Sequence, residues 1–291
     1  MKGIILAGGT GSRLFPTTSG VSKSLLPVYD VPVIYYSLDT LIKSKIKDIL
    51  IISTPFDTPY IKHLLRDGSQ FGVNLTYRIQ NSPRGIAEAF LLGKDFIKDD
   101  SCTLILSDNV FIGDEVIEYI TNYDSTQNKA LIFGYKVEDP ERFGVIEFKD
   151  NQVISIEEKP KNPKSNYCVT GLYIYPEDVV NKAKKLEPSL RNELEITDLN
   201  CFYLYESRLN VKLLKNTFWI DVGTPESFLE ASNTVKNIER IDKKIIACPE
   251  ESAYTNGWIS FEQLRESAYK LKNSNYGKYL IKGIEDGKFH I

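Results

Sequence analysis

The sequence predicts an α/β protein with a mostly parallel, Rossmann-like central sheet flanked by helices. Short apolar runs that suit buried strands alternate with stretches whose apolar residues recur every three or four positions, as on one face of a helix. The first such run, residues 2–7, opens directly into a glycine-rich loop. The length of 291 residues is enough for one large α/β unit. Strands that alternate with helices need crossover connections, so neighbouring strands run mostly parallel.

The first half of the chain carries the alternating signals most clearly. Pro32 is predicted to start a helix, because proline suits a first helical turn and an apolar stripe follows it. The stripe consists of Val33, Tyr36, Leu38, Leu41 and Ile42. Further strands are predicted at residues 49–52, 75–79 and 103–106, and further helices at residues 59–65 and 85–97.

The second half changes character. A strand at residues 129–137 precedes two runs, 140–148 and 153–160, that predict an antiparallel pair around Asp150 and Asn151. A helix is then predicted through Tyr205, with Thr197 or Asp198 as its cap. Later helices are predicted from near Pro225 and over residues 228–238, 261–271 and 276–281. We expect an α/β domain over residues 1–240, with halves of about 1–135 and 136–240, and a helical C-terminal extension over 241–291.

Composition excludes several classes of function. The net charge is −3 with acidic and basic residues interspersed, which argues against a nucleic-acid-binding surface. No apolar run reaches the length of a membrane span and the chain starts directly in a strand, so we expect a cytoplasmic protein without membrane partners. The four cysteines form no CxxC pair and are predicted to be free thiols. Only two histidines are present, which leaves little room for His-based triads or metal sites.

The loop after the first strand is predicted to bind a polyphosphate. Gly8, Gly9 and Gly11 carry no Cβ, so their backbone N–H groups can approach phosphate oxygens closely. Arg13 and Lys23 follow as two fixed cations. The loop is not a Walker A motif, which would need a lysine where Arg13 or Leu14 stands, nor the dinucleotide fingerprint, whose third glycine is absent.

Several motifs together resemble those of the sugar-1-phosphate nucleotidyltransferase family. The N-terminal signature is Gly8-Gly9-x-Gly11-Ser12-Arg13-Leu14 with Ser22-Lys23-x-Leu25-Leu26-Pro27. Similar segments occur over nearly the whole chain, and the tail around residues 247–254 and 275–280 is similar to the thymidylyltransferase branch. The resemblance implies Mg²⁺-dependent transfer of thymidylyl from dTTP to α-D-glucose 1-phosphate, with release of pyrophosphate. It also implies a homotetramer that acts on small-molecule substrates only.

The resemblance assigns roles to individual residues. Gln80 and Gly85 correspond to the loop that reads the pyrimidine. Asp108 and Asp221 follow two predicted strands and correspond to the carboxylates that bind Mg²⁺. By position alone, a single Asp after a strand, such as Asp108, is more often a turn former than a ligand, and the resemblance reverses that preference. Arg13, Lys23 and Lys159 are implied to be catalytic cations. The implied substrate-binding residues are Gly8, Gly9, Gly11, Gln80, Gly85, Asp108, Gly144, Glu158, Lys159, Val169 and Arg191.

The sequence departs from the family pattern at a few of these positions. Arg84 stands where an Asp is usual, Glu88 where a Gln is usual, and Ser107 where a Gly precedes the first Asp. Val222 and Pro225 replace Thr and His after the second. These differences affect the neighbours of the predicted site residues and leave the predicted site residues themselves in place.

The residues predict a direct mechanism. A sugar phosphate is already an ionised nucleophile, so no general base is required, and catalysis depends on positioning and on cations placed between phosphates. We therefore expect in-line displacement at the α-phosphorus. Alternatives are the same chemistry with another nucleotide or sugar 1-phosphate, such as UTP or CTP, and a non-catalytic nucleotide-sugar sensor. A Rossmann oxidoreductase is disfavoured by the missing third glycine.

Overall fold

The computed structural model describes residues 1–9, 11–150 and 152–289. Its main layer is a nine-stranded sheet, with two two-stranded sheets beside it. The strands, in chain order, are β1 (Lys2–Ala7), β2 (Pro27–Val28), β3 (Val31–Pro32), β4 (Asp48–Ser53), β5 (Asn74–Ile79), β6 (Cys102–Leu106), β7 (Asn109–Ile112), β8 (Ala130–Lys136), β9 (Gly144–Lys149), β10 (Gln152–Glu158), β11 (Tyr167–Tyr175), β12 (Leu209–Leu213) and β13 (Phe218–Asp221).

The centre of the sheet is parallel, which confirms the predicted fold class. Strands β6, β1, β4 and β5 lie side by side in that order and run parallel, and β12 runs parallel to β8. The second half of the chain adds β11 antiparallel to β6, followed by the antiparallel pair of β9 and β10. The predicted hairpin is thus present, although Asn151 of its turn lies outside the described residues. The sheet is mixed because, in the described residues, β8, β9, β10 and β11 follow one another with no α-helix between them.

The position of β1 in the sheet explains why its sequence is almost continuously apolar. It is hydrogen-bonded to β4 on one side and to β6 on the other. Ile5 and Ala7 pack into one apolar layer, whereas Ile4 and Leu6 pack into the layer on the opposite face. A strand covered on both faces needs apolar residues at every position. This strand delivers the glycine-rich loop to the edge of the sheet where the parallel strands end.

The helices cover both faces of the sheet. Those predicted after Pro32 and near residues 59–65, 225, 261–271 and 276–281 are confirmed. Their bounds are α1 (Val33–Lys43), α2 (Thr58–Leu65), α3 (Glu88–Leu92), α4 (Lys94–Ile97), α5 (Glu115–Thr121), α6 (Val179–Ala183), α7 (Ile196–Tyr205), α8 (Pro225–Asp242), α9 (Pro249–Thr255), α10 (Phe261–Lys270) and α11 (Asn275–Glu285).

Two helix predictions are wrong in detail. The single helix predicted over residues 85–97 is two short helices, α3 and α4, which meet at Gly93. A Cβ at Gly93 would lie 3.0 Å from Leu50, so the turn fits closely against β4 only because it is a glycine. The helix through Tyr205 begins at Ile196 with Glu195 at its N-cap, so neither Thr197 nor Asp198 caps it. Thr197 instead donates a hydrogen bond elsewhere, as described below.

Two features outside the main sheet position the site. Strand β7 starts just after β6 and pairs antiparallel with β13, which places Asp221 opposite Asn109. Helices α9, α10 and α11 pack together, and α9 packs on α1.

All four cysteines are free, as predicted. In the described parts of the chain, no helix combines the length and apolar character needed to cross a membrane.

Candidate active site

A cleft of about 600 Å³ opens where the central parallel strands end. This is the edge at which open α/β sheets bind ligands, and the volume is in the range of small-molecule sites. The cleft collects residues from distant parts of the chain. The predicted site residues that line it are Gly8, Gly9, Arg13, Lys23, Gln80, Gly85, Asp108, Gly144, Glu158, Lys159, Val169, Arg191 and Asp221.

The glycine-rich loop forms one wall of the cleft. Gly9 has a φ of 92°, a left-handed conformation that glycine adopts without strain. Gly11 also has a positive φ, but it lines an adjoining cavity of about 300 Å³ and not the cleft itself. Thr10 of the motif lies outside the described residues. The loop thus exposes backbone to both cavities.

The two predicted metal carboxylates, Asp108 and Asp221, are neighbours in space and are called the carboxylate pair below. Asp108 follows β6 and Asp221 ends β13. Asn109 joins them, because its Nδ2 donates to Asp108 Oδ1 at 3.0 Å and to Asp221 Oδ1 at 3.5 Å. Its Oδ1 accepts from the Trp219 indole at 2.7 Å and from the Gly171 backbone at 2.9 Å. The nitrogen of this amide therefore joins the two carboxylates, and its oxygen fixes the amide in place against Trp219 and Gly171.

Lys23 is brought to the carboxylate pair by a local contact. The Ser24 and Ser107 hydroxyls are 2.7 Å apart, which ties the segment after the glycine loop to the end of β6. Lys23 Nζ donates to Asp108 Oδ2. Ser107, a departure from the family pattern, thus has a structural role. The contact places a fixed cation at the first carboxylate.

Two arginines reach the second carboxylate of the pair. Arg13 Nη2 lies 3.9 Å from Asp221 Oδ2, and Arg142 Nη2 lies 4.0 Å from the same atom. A Cβ at Gly223 would lie 2.5 Å from Arg13, so this glycine leaves room for the guanidinium. The sequence reasoning missed Arg142 and Asn109 as site residues. Both stand next to matched positions, which was the signal available for finding them.

Burial and charge give the carboxylate pair unequal proton affinities. Burial alone raises the pKa of Asp108, but the Lys23 ammonium outweighs it and holds the pKa below its usual range. Burial, together with the charge of Asp108, raises the pKa of Asp221 to about 6. The pKa of Lys23 is raised, since Asp108 outweighs the effect of burial. Near neutral pH the pair therefore presents negative charge that a cation would stabilise.

The carboxylate pair has the donor set that Mg²⁺ uses when it is shared with a phosphorylated substrate. Mg²⁺ in such sites takes one or two carboxylates, with the remaining ligands from phosphates and water. No group of three or more His, Cys, Asp or Glu side chains suited to a metal occurs within the described ranges. A site built for Mg²⁺ without substrate would need more protein ligands. The two aspartates thus fit an ion that arrives with a polyphosphate.

At the end of β5, Gln80 and Gly85 line the cleft opposite the carboxylate pair. Gln80 is buried and its Nε2 donates to Glu88 Oε2 at 2.8 Å. Gly85 has a φ of 95°, and a Cβ there would lie 2.4 Å from the Leu194 carbonyl oxygen. The Leu194 N–H donates to the Arg84 carbonyl at 2.7 Å. The loop after β5 is thereby fixed to the segment that precedes α7.

The far end of the cleft is built on the β9–β10 pair. Glu158 lies opposite Gly144 in the ladder, and Thr197 Oγ1 donates to Glu158 Oε2 at 2.6 Å. A Cβ at Gly144 would lie 3.0 Å from that hydroxyl oxygen, so the glycine keeps the site open. Lys159 has a φ of 45°, a conformation costing on the order of 1 kcal/mol or more that persists only where the surroundings impose it. Its N–H donates to the Phe143 carbonyl at 2.9 Å.

Arg191 is shared by three carboxylates, and these four residues are called the Arg191 cluster below. Its Nη2 lies 2.8 Å from Glu195, 3.0 Å from Glu158 and 3.6 Å from Glu193. Burial lowers the pKa of Arg191, but these carboxylates outweigh it and the net shift is upward. A phosphate that reached this guanidinium would have to compete with all three.

Comparisons with known proteins agree with this geometry. The sequence model of the family described as "Nucleotidyl transferase" matches residues 2–238. A protein of Neisseria meningitidis serogroup A named glucose-1-phosphate thymidylyltransferase is 49% identical over 97% of this chain and 99% of its own length. A protein of the same name from Xanthomonas campestris pv. campestris is 47% identical over 99% of both chains.

The fold of this chain is also similar to that of a solved structure. A Bacillus anthracis protein described as a putative glucose-1-phosphate thymidylyltransferase in complex with a sucrose superposes with a TM-score of 0.76 at 43% identity. The match covers 80% of this chain and 94% of that one. The family match spans most of the sequence, and the relatives are similar from end to end. The chain therefore belongs to the nucleotidyl transferase family.

Proposed function

We propose that this protein transfers a thymidylyl group from dTTP to α-D-glucose 1-phosphate, giving dTDP-glucose and pyrophosphate. The observation that carries the proposal is one cleft that is lined by the glycine-rich loop, by the carboxylate pair with its cations, and by Gly144, Glu158 and Lys159. The near full-length similarity to proteins named glucose-1-phosphate thymidylyltransferase supports the choice of substrates.

The obstacle to this reaction is repulsion between phosphates. A pair of unit charges 4 Å apart repels by about 4 kcal/mol at an effective dielectric near 20. Arg13 and Lys23 line the cleft on the side of the glycine-rich loop and would neutralise the triphosphate. Lys159 and Arg191 lie at the Gly144 end and would hold the sugar phosphate. The nucleophile is already ionised, so the protein's task is to align it with the α-phosphorus.

Asp108 and Asp221 would hold Mg²⁺ in the working enzyme. When bound, the ion supplies positive charge between the phosphate oxygens of the triphosphate. Asn109 keeps the two carboxylates together, and Lys23 keeps Asp108 ionised. Gln80 and Gly85 would face the base, and Glu158 would accept hydrogen bonds from the sugar hydroxyls. Val169 would line the sugar site.

A panel of substrates tests the proposal. Pyrophosphate release is measured with dTTP, UTP, dCTP and CTP, each with glucose 1-phosphate and with and without Mg²⁺. We expect the highest kcat/KM for dTTP, and only when Mg²⁺ is present. No release with any triphosphate would leave a nucleotide-sugar sensor as the better reading. A higher kcat/KM for UTP than for dTTP would instead mean that the protein transfers a uridylyl group.

The stereochemical course tests the direct mechanism separately. With a dTTP analogue that is chiral through sulfur at the α-phosphorus, one in-line displacement inverts the configuration. Retention would require two displacements and a covalent intermediate. The measurement is made on the isolated nucleotide sugar.

We also propose the division of the chain into a nucleotide half, a sugar-phosphate half and a helical extension, and a homotetrameric, cytoplasmic enzyme. The resemblance of the C-terminal tail to the thymidylyltransferases supports the assembly. Light scattering on the purified chain tests it, because a mass close to that of one 33.1 kDa chain would contradict a tetramer.

A further inference from the structure

The side-chain amide of Gln80 has a fixed orientation. Its Nε2 donates to Glu88 Oε2 at 2.8 Å and to the Gly85 carbonyl oxygen at 3.4 Å. A carboxylate and a carbonyl can only accept hydrogen bonds, so the nitrogen must face them. The amide oxygen is therefore turned the other way. Amide orientations often depend on one ambiguous contact, whereas two acceptors agree here.

The free oxygen of Gln80 points toward the glycine-rich loop. It lies 2.6 Å from the place that a Cβ of Gly8 would occupy, so only a glycine fits there. No donor from the described parts of the chain is paired with this oxygen. Gln80 is 5% exposed, and it lines both the cleft and the adjoining cavity. The oxygen is not fully enclosed, so it remains open to a donor from a ligand in the cleft.

Glu88 is itself held in place. Its carboxylate lies 3.7 Å from Nη1 of Arg84, in the loop before α3, and its side chain is 12% exposed. The Arg84 carbonyl accepts from the Leu194 N–H at 2.7 Å, which fixes the backbone of the loop. These are the two positions at which the sequence departs from the family pattern beside Gln80. Arg84 therefore lies beside the carboxylate that accepts from the Gln80 amide.

We propose that Glu88, paired with Arg84, sets the base selectivity of the site as a hydrogen-bond acceptor, because it binds the Gln80 nitrogen and so holds the Gln80 oxygen toward the bound base. This rests on the proposed nucleotidyl transfer. Thymine and uracil carry a hydrogen at N3 that this oxygen can accept. Cytosine carries a lone pair at N3, which would face the oxygen and leave two acceptors together. Glu88 and Arg84 are positioning residues, because they act through Gln80.

The test reverses the hydrogen-bonding character at position 88. In the double variant R84E/E88K the ion pair is kept, but lysine only donates. The Gln80 amide should then turn its oxygen to Lys and its nitrogen to the base. We expect the ratio of kcat/KM for dTTP over dCTP, with glucose 1-phosphate, to fall at least about tenfold, within the range that one such contact discriminates.

Further variants separate orientation from general damage. E88Q keeps an oxygen that can accept from Gln80, and it should retain the wild-type ratio within about threefold. E88M offers neither a donor nor an acceptor to the Gln80 amide, so it should lower the ratio of kcat/KM for dTTP over dCTP. This variant provides the test if R84E/E88K does not fold. The control is E266K/K270E, which swaps an exposed pair on α10. It should change neither the rate nor the ratio.

A binding measurement distinguishes failure of this inference from failure of the proposed function. The Kd values of wild type and variants for dTDP and dCDP are measured by calorimetry, which needs no turnover. If wild type turns over dTTP and both R84E/E88K and E88M keep its ratio, the acceptor at position 88 does not orient Gln80 and the inference is overturned. If wild type does not turn over dTTP but its preference for dTDP weakens in the variants, the inference stands and the proposed reaction falls.

Discussion

The two ends of the cleft have opposite charge balance. At the carboxylate pair, Lys23, Arg13 and Arg142 lie within 4.0 Å of two aspartates. At the Arg191 cluster, one guanidinium lies within 3.6 Å of three glutamates. Lys159, 3.7 Å from Glu158, is a second cation at that end. Three cations thus face two aspartates at the carboxylate pair, whereas two cations face three glutamates at the other end.

This difference in charge balance matches the different needs of the two proposed substrates. A triphosphate needs cations throughout its length, and the surplus at the carboxylate pair supplies them. A sugar needs acceptors for its hydroxyl hydrogens, which the glutamates supply, and its single phosphate needs few cations. We therefore expect substitutions at the carboxylate pair to impair catalysis, and those at the Arg191 cluster to affect mainly affinity for the sugar phosphate.

The largest effect is expected at Lys23. Lys23→Ala removes the partly buried cation at Asp108, and we expect kcat/KM to fall at least a hundredfold, about 2.7 kcal/mol. Initial rates with dTTP and glucose 1-phosphate measure it. Lys270→Ala, which removes an exposed lysine of α10, is the control and should change little. If kcat/KM of Lys23→Ala fell tenfold or less, the carboxylate pair would contribute no more to catalysis than the Arg191 cluster does.

A smaller effect, confined to one substrate, is expected at Arg191. Arg191→Ala should raise KM for glucose 1-phosphate about tenfold, or about 1.4 kcal/mol, with kcat changed much less. Arg208, which joins Asp178 and Glu206 outside the cleft, gives a matched control. Arg208→Ala should leave this KM unchanged. If Arg191→Ala lowered kcat and left KM alone, the two ends would not divide catalysis and affinity as described.

Glu193 should give the smallest kinetic effect. Its carboxylate is the most distant of the three from Arg191, at 3.6 Å. Glu193→Gln removes a negative charge from the cluster, so we expect KM for glucose 1-phosphate to fall, by roughly threefold or less, as for an exposed charge pair. A rise in this KM would instead mean that Glu193 binds the sugar directly.

Ionised Asp221 should also destabilise the folded protein when no metal is bound. The pKa of Asp221 is raised to about 6 from an ordinary value of 3.8. A raised carboxyl pKa means that the folded state binds the proton more tightly, so this group's contribution is present at low pH and lost as pH rises through 6. Asp221→Asn should raise Tm at pH 8 in EDTA, with a smaller gain at pH 5. An equal gain at both pH values would exclude titration as the cause.

Much of the fold could be predicted from local patterns. Buried strands such as β1 and β4 are short apolar runs, and α1 shows a clear apolar stripe after Pro32. The break at Gly93 was missed because it depends on the close approach of Leu50 from another strand. The cap at Glu195 was missed because Thr197, a better capping residue by type, is committed to Glu158.

The sequence by itself determined the family, the parallel centre of the sheet and the identity of most candidate site residues, because these depend on local motifs and apolar periodicity. The tertiary structure alone decided how these residues are paired. The Gln80 amide is oriented by Gly85 and Glu88, which are near it in the sequence. Asn109 joins Asp108 to Asp221, and Arg191 joins Glu195 to Glu158, so both connect segments far apart in the chain. Such contacts form only when strand ends and loops meet in space, and periodicity along one segment carries no information about them.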